Sequence, residues 1–213
     1  HLRAGRSVDD LAYAAFYAGI RASALTGHSN HACKLVASAW QLSTAARGSH
    51  RFAPVMWALE VVGSCPDGFQ DPNASGVPIG PTDDSNLPAG DAACAALELA
   101  MSEYDRDGAQ RAVVGLYRSV PAGAVREELC RWAPRHPGPN GHWPIAVSQY
   151  LRILDAHGWG CAEPVLRHLV YTLASPPDPQ WESFYLESRE RIATVPATWP
   201  DSRSTTTPPP SSF

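Results

Sequence analysis

The sequence predicts an all-α protein, a helical bundle of two pseudo-repeated helical hairpins with linking helices. Apolar residues recur at helical spacing along most of the chain, and no alternating pattern typical of a strand persists. One pattern also occurs twice, about 111 residues apart. Each copy begins with a histidine, His31 or His142, continues as an apolar helix, and leads to a helix with proline in its first turn. A duplicated hairpin of this kind can bring two helix-start histidines together at a pseudo-twofold axis.

The first three predicted helices are bounded by residues that start or stop helices. Ser7 and Asp10 form a capping-box pattern ahead of an apolar run, and Gly27 ends that run. Gly48 ends the next helix, and Pro54 fits the first turn of the third, where an amide would be unpaired anyway. The predicted bounds are 11–25, 30–47 with Ser29 or Asn30 as the cap, and 54–64, so that 28–64 forms the first pseudo-repeat.

The remaining segments complete a single all-α domain over residues 1–195. Residues 65–87 are rich in Pro, Gly, Asn and Asp and are predicted to be a loop. The second pseudo-repeat, 141–175, has Pro164 in the first turn of its second helix. Residues 196–213 are a disordered tail rich in Ser, Thr and Pro. The predicted helices after the loop are 91–104, 108–118, 122–133, 142–157, 161–174 and a surface helix over 178–195.

Composition excludes several classes of function. The 213 residues carry a net charge of −4 without a basic run, which argues against nucleic-acid binding through phosphates. No apolar stretch approaches the roughly 20 residues that a membrane helix needs. Classical glycine loops for nucleotides are absent. Because the chain begins at His1, its true start is not visible, and we expect a cytoplasmic protein with export as the alternative.

The five cysteines form no CxxC pair, which disfavours a zinc ribbon or a thioredoxin-type motif. We expect them to be reduced and mostly buried, with a Cys65–Cys94 disulfide as the alternative.

Metal-binding chemistry is the hypothesis for the histidine segments. His31 and Lys34 are three residues apart, so both can lie on one helical face, and His28 lies three residues before His31. An unmodified ammonium would repel a cation, whereas a carboxylated lysine is an oxygen donor. The helix dipole favours a neutral, metal-binding imidazole at His142. The alternatives are that the histidines cap helices or are buried polar residues, and that Lys34 extends its amine to water.

Further groups could complete such a site. Cys161 and Glu163 begin the second helix of the second hairpin and could face the same cavity as His142. His168 shares a helical face with Val165 and Leu169, so we expect a core histidine with satisfied hydrogen bonds. The aromatic residues in or beside the repeats would suit a planar or apolar substrate if they line a pocket. These are Trp40, Trp57, Trp143, Tyr150 and Trp159.

Several of these motifs carry resemblances. The segments Trp57-Ala58-Leu59-Glu60 and Ala162-Glu163-Pro164-Val165-Leu166-Arg167 resemble a family of uncharacterised all-helical bacterial proteins, over roughly residues 8–195. That family commonly has a histidine where this chain has Cys161. More loosely, His31-Ala32-Cys33-Lys34 is similar to the His-x-x-Lys motif of the questin oxidase family, which are helical oxygenases of aromatic polyketides. That resemblance implies a non-haem iron held by several histidines and a carboxylated lysine.

Together these observations predict a metal-dependent, oxygenase-like enzyme that acts on an aromatic or apolar small molecule. His31, His142, Lys34 and His28 would bind the metal, and Cys161 and Glu163 would serve as catalytic groups beside it. Iron is the expected metal, with zinc or copper as alternatives, because imidazole suits all three. Two other classes remain open. One is a helical binding or scaffold domain without metal, with a homodimer as one form of it, and the other is a non-covalent haem binder.

Overall fold

The structure is a computed structural model that describes residues 7–22, 31–64, 83, 85–135 and 141–176, together with 183, 186, 187, 190, 191 and 194. Within this part of the chain the fold is all-helical and contains no strand. Eight α-helices are described there: α1 Val8–Ala22, α2 His31–Ala45, α3 Phe52–Ser64, α4 Gly90–Ser102, α5 Arg106–Ser119, α6 Ala122–Trp132, α7 His142–His157 and α8 Glu163–Leu173. Short 3₁₀ turns precede α3 and follow α6.

Local hydrogen bonds explain where several helices begin. The predicted capping box is formed, since the Asp10 amide donates to Ser7 Oγ at 3.0 Å and the Ser7 amide donates to Asp10 Oδ2 at 3.1 Å. Asp105 caps α5 by accepting from the Gly108 amide at 3.0 Å. Helix α7 starts after Gly141, whose φ of 75° lies in the left-handed region.

Helix α1 lies against both α2 and α7 and runs antiparallel to each. Along α1 and α2, Phe16 pairs with Cys33 while Asp9 pairs with Trp40. Along α1 and α7, Phe16 meets Tyr150 while Tyr13 stacks on His157. Because α1 opposes both neighbours, α2 and α7 point in the same direction, and their first residues, His31 and His142, lie towards the same end of this three-helix core.

The rest of the bundle is organised around α5, which packs against α4 and α8. Gly115 of α5 lies so close to the Pro88 carbonyl oxygen that a Cβ atom there would stand 2.0 Å from it. Tyr117 of α5 donates to the Trp159 carbonyl at 2.7 Å, which ties α5 to the turn between α7 and α8. Helix α8 also contacts α1, so one continuous apolar core joins both halves of the chain.

Most predicted helices are confirmed. The bounds of α7 coincide with the prediction, and α4, α5, α6 and α8 differ from it by three residues or fewer at either end. Five described positions within the predicted surface helix 178–195 are helical. His28, most of the predicted loop 65–87 and the tail 196–213 lie outside the described residues. No described helix is both long and apolar enough to span a membrane.

The described cysteines are reduced as expected, but the expected burial of most of them and the alternative of a Cys65–Cys94 disulfide are both wrong. Cys130 and Cys161 are exposed rather than buried, because they face outward on α6 and in the turn before α8. Cys94 carries a free thiol, so it forms no disulfide with Cys65. Cys33 is a reduced, buried cysteine as predicted.

Candidate functional site

The candidate site lies where α2 packs beside α7. Gln149 donates from Nε2 to Ser38 Oγ at 3.3 Å, and these two residues each follow the first histidine of their helix by seven positions. Seven residues are two helical turns, so Ser38 and Gln149 occupy matching positions. Oε1 of Gln149 is buried and has no hydrogen-bond partner among the described residues. One unpaired polar atom of the described residues, Gln149 Oε1, therefore lies in this helix contact.

Lys34 lies one turn before Ser38 on α2. Its side chain is buried, with 7% of the residue exposed, and Nζ has no hydrogen-bond partner in the described part of the chain. The alternative that Lys34 extends its amine to water is therefore wrong. Burial lowers the pKa of Lys34 to about 8, because the charged ammonium loses its hydration there. A buried amine with a depressed pKa is unusual outside functional sites.

The predicted histidine ligands are placed unevenly. His142 is the first residue of α7 and is half-buried. His31 is the first residue of α2, but its side chain lies outside the described set, as does the whole of His28. Among the described residues, no group of three or more His, Cys, Asp or Glu side chains could hold a metal ion. A site here therefore depends on Lys34, His142 and two histidines, His28 and His31, whose side chains lie outside the described residues.

Cys161 and Glu163 lie elsewhere. They follow the C-terminal end of α7, whereas His142 begins this helix of 16 residues, about 24 Å long at 1.5 Å per residue. Cys161 is exposed, and its carbonyl oxygen accepts a hydrogen bond from the Tyr17 hydroxyl. Glu163 forms an ion pair with Arg118 at 2.9 Å. The structure does not bring this pair to the end of the core where α2 and α7 begin.

A hydrogen-bonded group of buried side chains, Tyr150, His168 and Cys33, is not among the predicted site residues. The Tyr150 hydroxyl lies 2.8 Å from Nδ1 of His168, and both side chains are fully buried. Burial, together with the charge of Cys33 and a hydrogen bond to it, raises the pKa of Tyr150 well above its usual range. Cys33 also acts electrostatically on the Lys34 amine, so this hydrogen-bonded group adjoins the candidate site.

His168 departs from its prediction. It is buried as expected, but Nε2 has no hydrogen-bond partner among the described residues, so this histidine is not fully satisfied. Burial lowers the pKa of His168 to about 4. The helical face shared with Val165 and Leu169 predicted the burial, and nothing in the sequence pointed to Tyr150 as its partner.

A second partly buried histidine, His157, closes the other end of the three-helix core. Its ring stacks on Tyr13 at 4.4 Å between centroids and lies 5.9 Å from the Trp40 ring. Burial lowers the pKa of His157, against the opposing effect of the Asp9 and Asp10 carboxylates. Asp9 also accepts a hydrogen bond from Trp40 Nε1 at 2.7 Å. These ring contacts and this hydrogen bond together hold the side chains at this end of the core in place.

The aromatic side chains of the repeats do not form one wall. Trp143 and Tyr150 are buried in the core, whereas Trp57 is 56% exposed on α3.

The chain matches no protein-family model, and neither curated proteins nor solved structures show significant similarity to it.

Proposed function

We propose that this protein is a metal-dependent, oxygenase-like enzyme whose metal is held where α2 and α7 begin. The proposed ligands are His31, His142 and a carboxylated Lys34, with His28 as a further ligand. The observation that carries the proposal is the buried Lys34 amine, which has no hydrogen-bond partner in the described residues. It stands one turn after His31, on a helix that packs beside the one starting at His142.

The energetics of burial favour a modified Lys34. Burying a polar group without a hydrogen bond costs about 2–7 kcal/mol. Burying an ammonium ion without an anion costs more. The neutral amine can attack CO₂, forming a new C–N bond and releasing one proton, to give a carbamate. The carbamate supplies two oxygen ligands, and its negative charge requires a neighbouring cation in turn. A metal ion bound by neutral imidazoles would supply that cation.

The contact between Ser38 and Gln149 supports the proposed pairing of the histidines. Ser38 and Gln149 touch at equivalent positions of the two pseudo-repeats, and α2 and α7 point in the same direction. An approximate twofold axis between two parallel helices would relate such positions. It would also relate His31 to His142 at the common end of the helices. The pseudo-repeated hairpins predicted from the sequence would then share this axis.

The chain's own residues would bind and position the reactants. A bound iron, or copper in the alternative, would supply redox chemistry towards O₂, while zinc would supply Lewis-acid chemistry. Trp143 and Tyr150, buried on α7, would exclude water from the metal's side of the core. An aromatic or apolar small molecule is the proposed substrate. Cys161 and Glu163 have no part in this site, because they lie at the other end of α7.

Elemental analysis combined with carbon NMR tests the proposal. Protein purified without a His tag should contain about one iron, copper or zinc per chain, and the His31→Ala/His142→Ala double variant should lose it. Lys34 is the only lysine in the chain, so ¹³C-bicarbonate should give one side-chain carbamate signal, which Lys34→Arg removes. His50→Ala, in an exposed 3₁₀ turn, is the matched control and should keep both signals.

The outcomes discriminate between the classes of function. Loss of metal and of carbamate in the respective variants, with unchanged helical circular dichroism, would support the metalloenzyme. No metal and no carbamate in the folded wild-type protein would overturn it and leave a binding or scaffold domain as the better account. A Soret band in the purified protein would also overturn it, in favour of a haem binder.

A further inference from the structure

A groove separate from the candidate metal site runs between α6, the 3₁₀ turn that follows it, and α7. Its volume is about 360 Å³, which is in the range of small-molecule sites. Its apolar lining comes from Ala133 and Pro134 of the turn and from Val147 and Leu151 of α7. At 100° per residue, Val147 and Leu151 lie on the side of α7 away from His142 and Gln149. The groove and the proposed metal site therefore use different faces of the same helix.

The charged groups at this groove have one sign. Arg126 of α6 and Arg152 of α7 line it, and no Asp or Glu is among its described lining residues. Arg126 forms an ion pair with Asp155 beside the groove. Arg152 is exposed and has no carboxylate within ion-pair distance in the described part of the chain. A guanidinium without a partner at the edge of an apolar groove is available to an anion.

We propose that this groove binds an amphiphilic organic anion, with an apolar body on the floor of the groove and a carboxylate at Arg152. Charge complementarity selects the anionic head, because guanidinium binds carboxylate through two parallel hydrogen bonds. The volume selects a body of small-molecule size rather than a helix or a protein surface. This inference does not depend on the proposed function, since it needs neither the metal nor Lys34.

Cys130 supplies a direct measurement of occupancy. It is a free, exposed thiol among the lining residues, whereas Cys161 is a free, exposed thiol outside the groove. The rate of alkylation by N-ethylmaleimide is measured at each cysteine by peptide mass spectrometry, with decanoate as the probe below its micelle concentration. Decanoate should slow the alkylation of Cys130 saturably, by at least about fivefold, and leave Cys161 unchanged. Decanol and decyltrimethylammonium, with the same chain length and a neutral or cationic head, should not protect Cys130.

A pair of variants assigns the head group to Arg152. Arg152→Gln should weaken decanoate protection about tenfold, the loss expected for one charge-assisted contact. Arg135→Gln makes the same charge change next to the groove, at a residue that pairs with Glu98 and does not line it, and should leave protection unchanged. Equal protection by decanol, no protection at any concentration, or an equal loss in both variants would overturn the proposal.

Discussion

At the scale of single residues, the unusual feature of this protein is the number of buried ionisable groups without a full set of partners. Lys34 and His168 both lie in the core, and each has a nitrogen with no hydrogen-bond partner among the described residues. Helical periodicity predicted burial for His168, because Val165 and Leu169 share its face. Partners depend on which helices meet, so the sequence did not identify Tyr150.

The buried imidazole makes stability depend on pH. Above about pH 6.5 His168 is neutral in the folded and the unfolded chain, so its contribution to stability is constant there. Between pH 6.5 and about 4 the unfolded chain binds a proton that the folded chain excludes, because burial holds the folded pKa at about 4. We expect the free energy of unfolding to fall across this window by up to about 3 kcal/mol, at 1.36 kcal/mol per pKa unit.

Urea unfolding at several pH values checks this prediction. His168→Gln removes the titrating group, so the decrease between pH 6.5 and 4 should be smaller in the variant by about that amount. His50→Gln, at an exposed position, should follow the wild-type curve. The prediction fails if wild type and His168→Gln lose stability in parallel as the pH falls.

At the scale of elements, capping residues and prolines within about four positions of a helix end predicted most of the helix boundaries. Ser7 with Asp10, Pro54 and Pro164 act through the backbone of their own first turn, which is why their positions could be predicted from the sequence. The predicted start of α5 lies two residues after the observed one, because Asp105 caps the helix earlier in the chain. Gly115 has no such local signal, since its contact with Pro88 joins two different elements.

Gly115 therefore carries a prediction about helix packing. A Cβ at this position would lie 2.0 Å from the Pro88 carbonyl oxygen, a backbone atom that cannot rotate away. Gly115→Ala should lower the free energy of unfolding by about 1–3 kcal/mol, the usual cost of overpacking, despite the higher helix propensity of alanine. Thermal and urea unfolding measure the change.

Gly123 of α6 provides the matched control for this substitution. It is also helical, but a Cβ there meets nothing within 4 Å. Gly123→Ala should raise the free energy of unfolding by a few tenths to about 1 kcal/mol through helix propensity alone. If both substitutions change the free energy of unfolding equally, α5 does not approach Pro88 closely, and the prediction is wrong.

At the scale of the whole molecule, the arrangement of the helices decides which predicted residues can act together. Glu163 and His142 both begin helices of the second hairpin, but one lies after α7 and the other at its start, so α7 separates them. The orientation of α2 and α7 depends on α1, which lies antiparallel to both. The arrangement leaves no local mark on the sequence, because the contacts that place α7 against α1 and α2 join side chains more than 100 residues apart.

The same arrangement predicts one cooperative folding unit. Cys33 lies on α2 in the three-helix core, and Cys94 lies on α4, which reaches that core through α5 and α8. If the continuous apolar core joins these parts, a short pulse of alkylating reagent after equilibration in urea should show both thiols becoming reactive at one midpoint. Far-UV circular dichroism should give the same midpoint. Exposure of Cys94 at a lower urea concentration than Cys33 would instead mean that α4 and its neighbours unfold as a separate unit, and the single-domain prediction would be wrong.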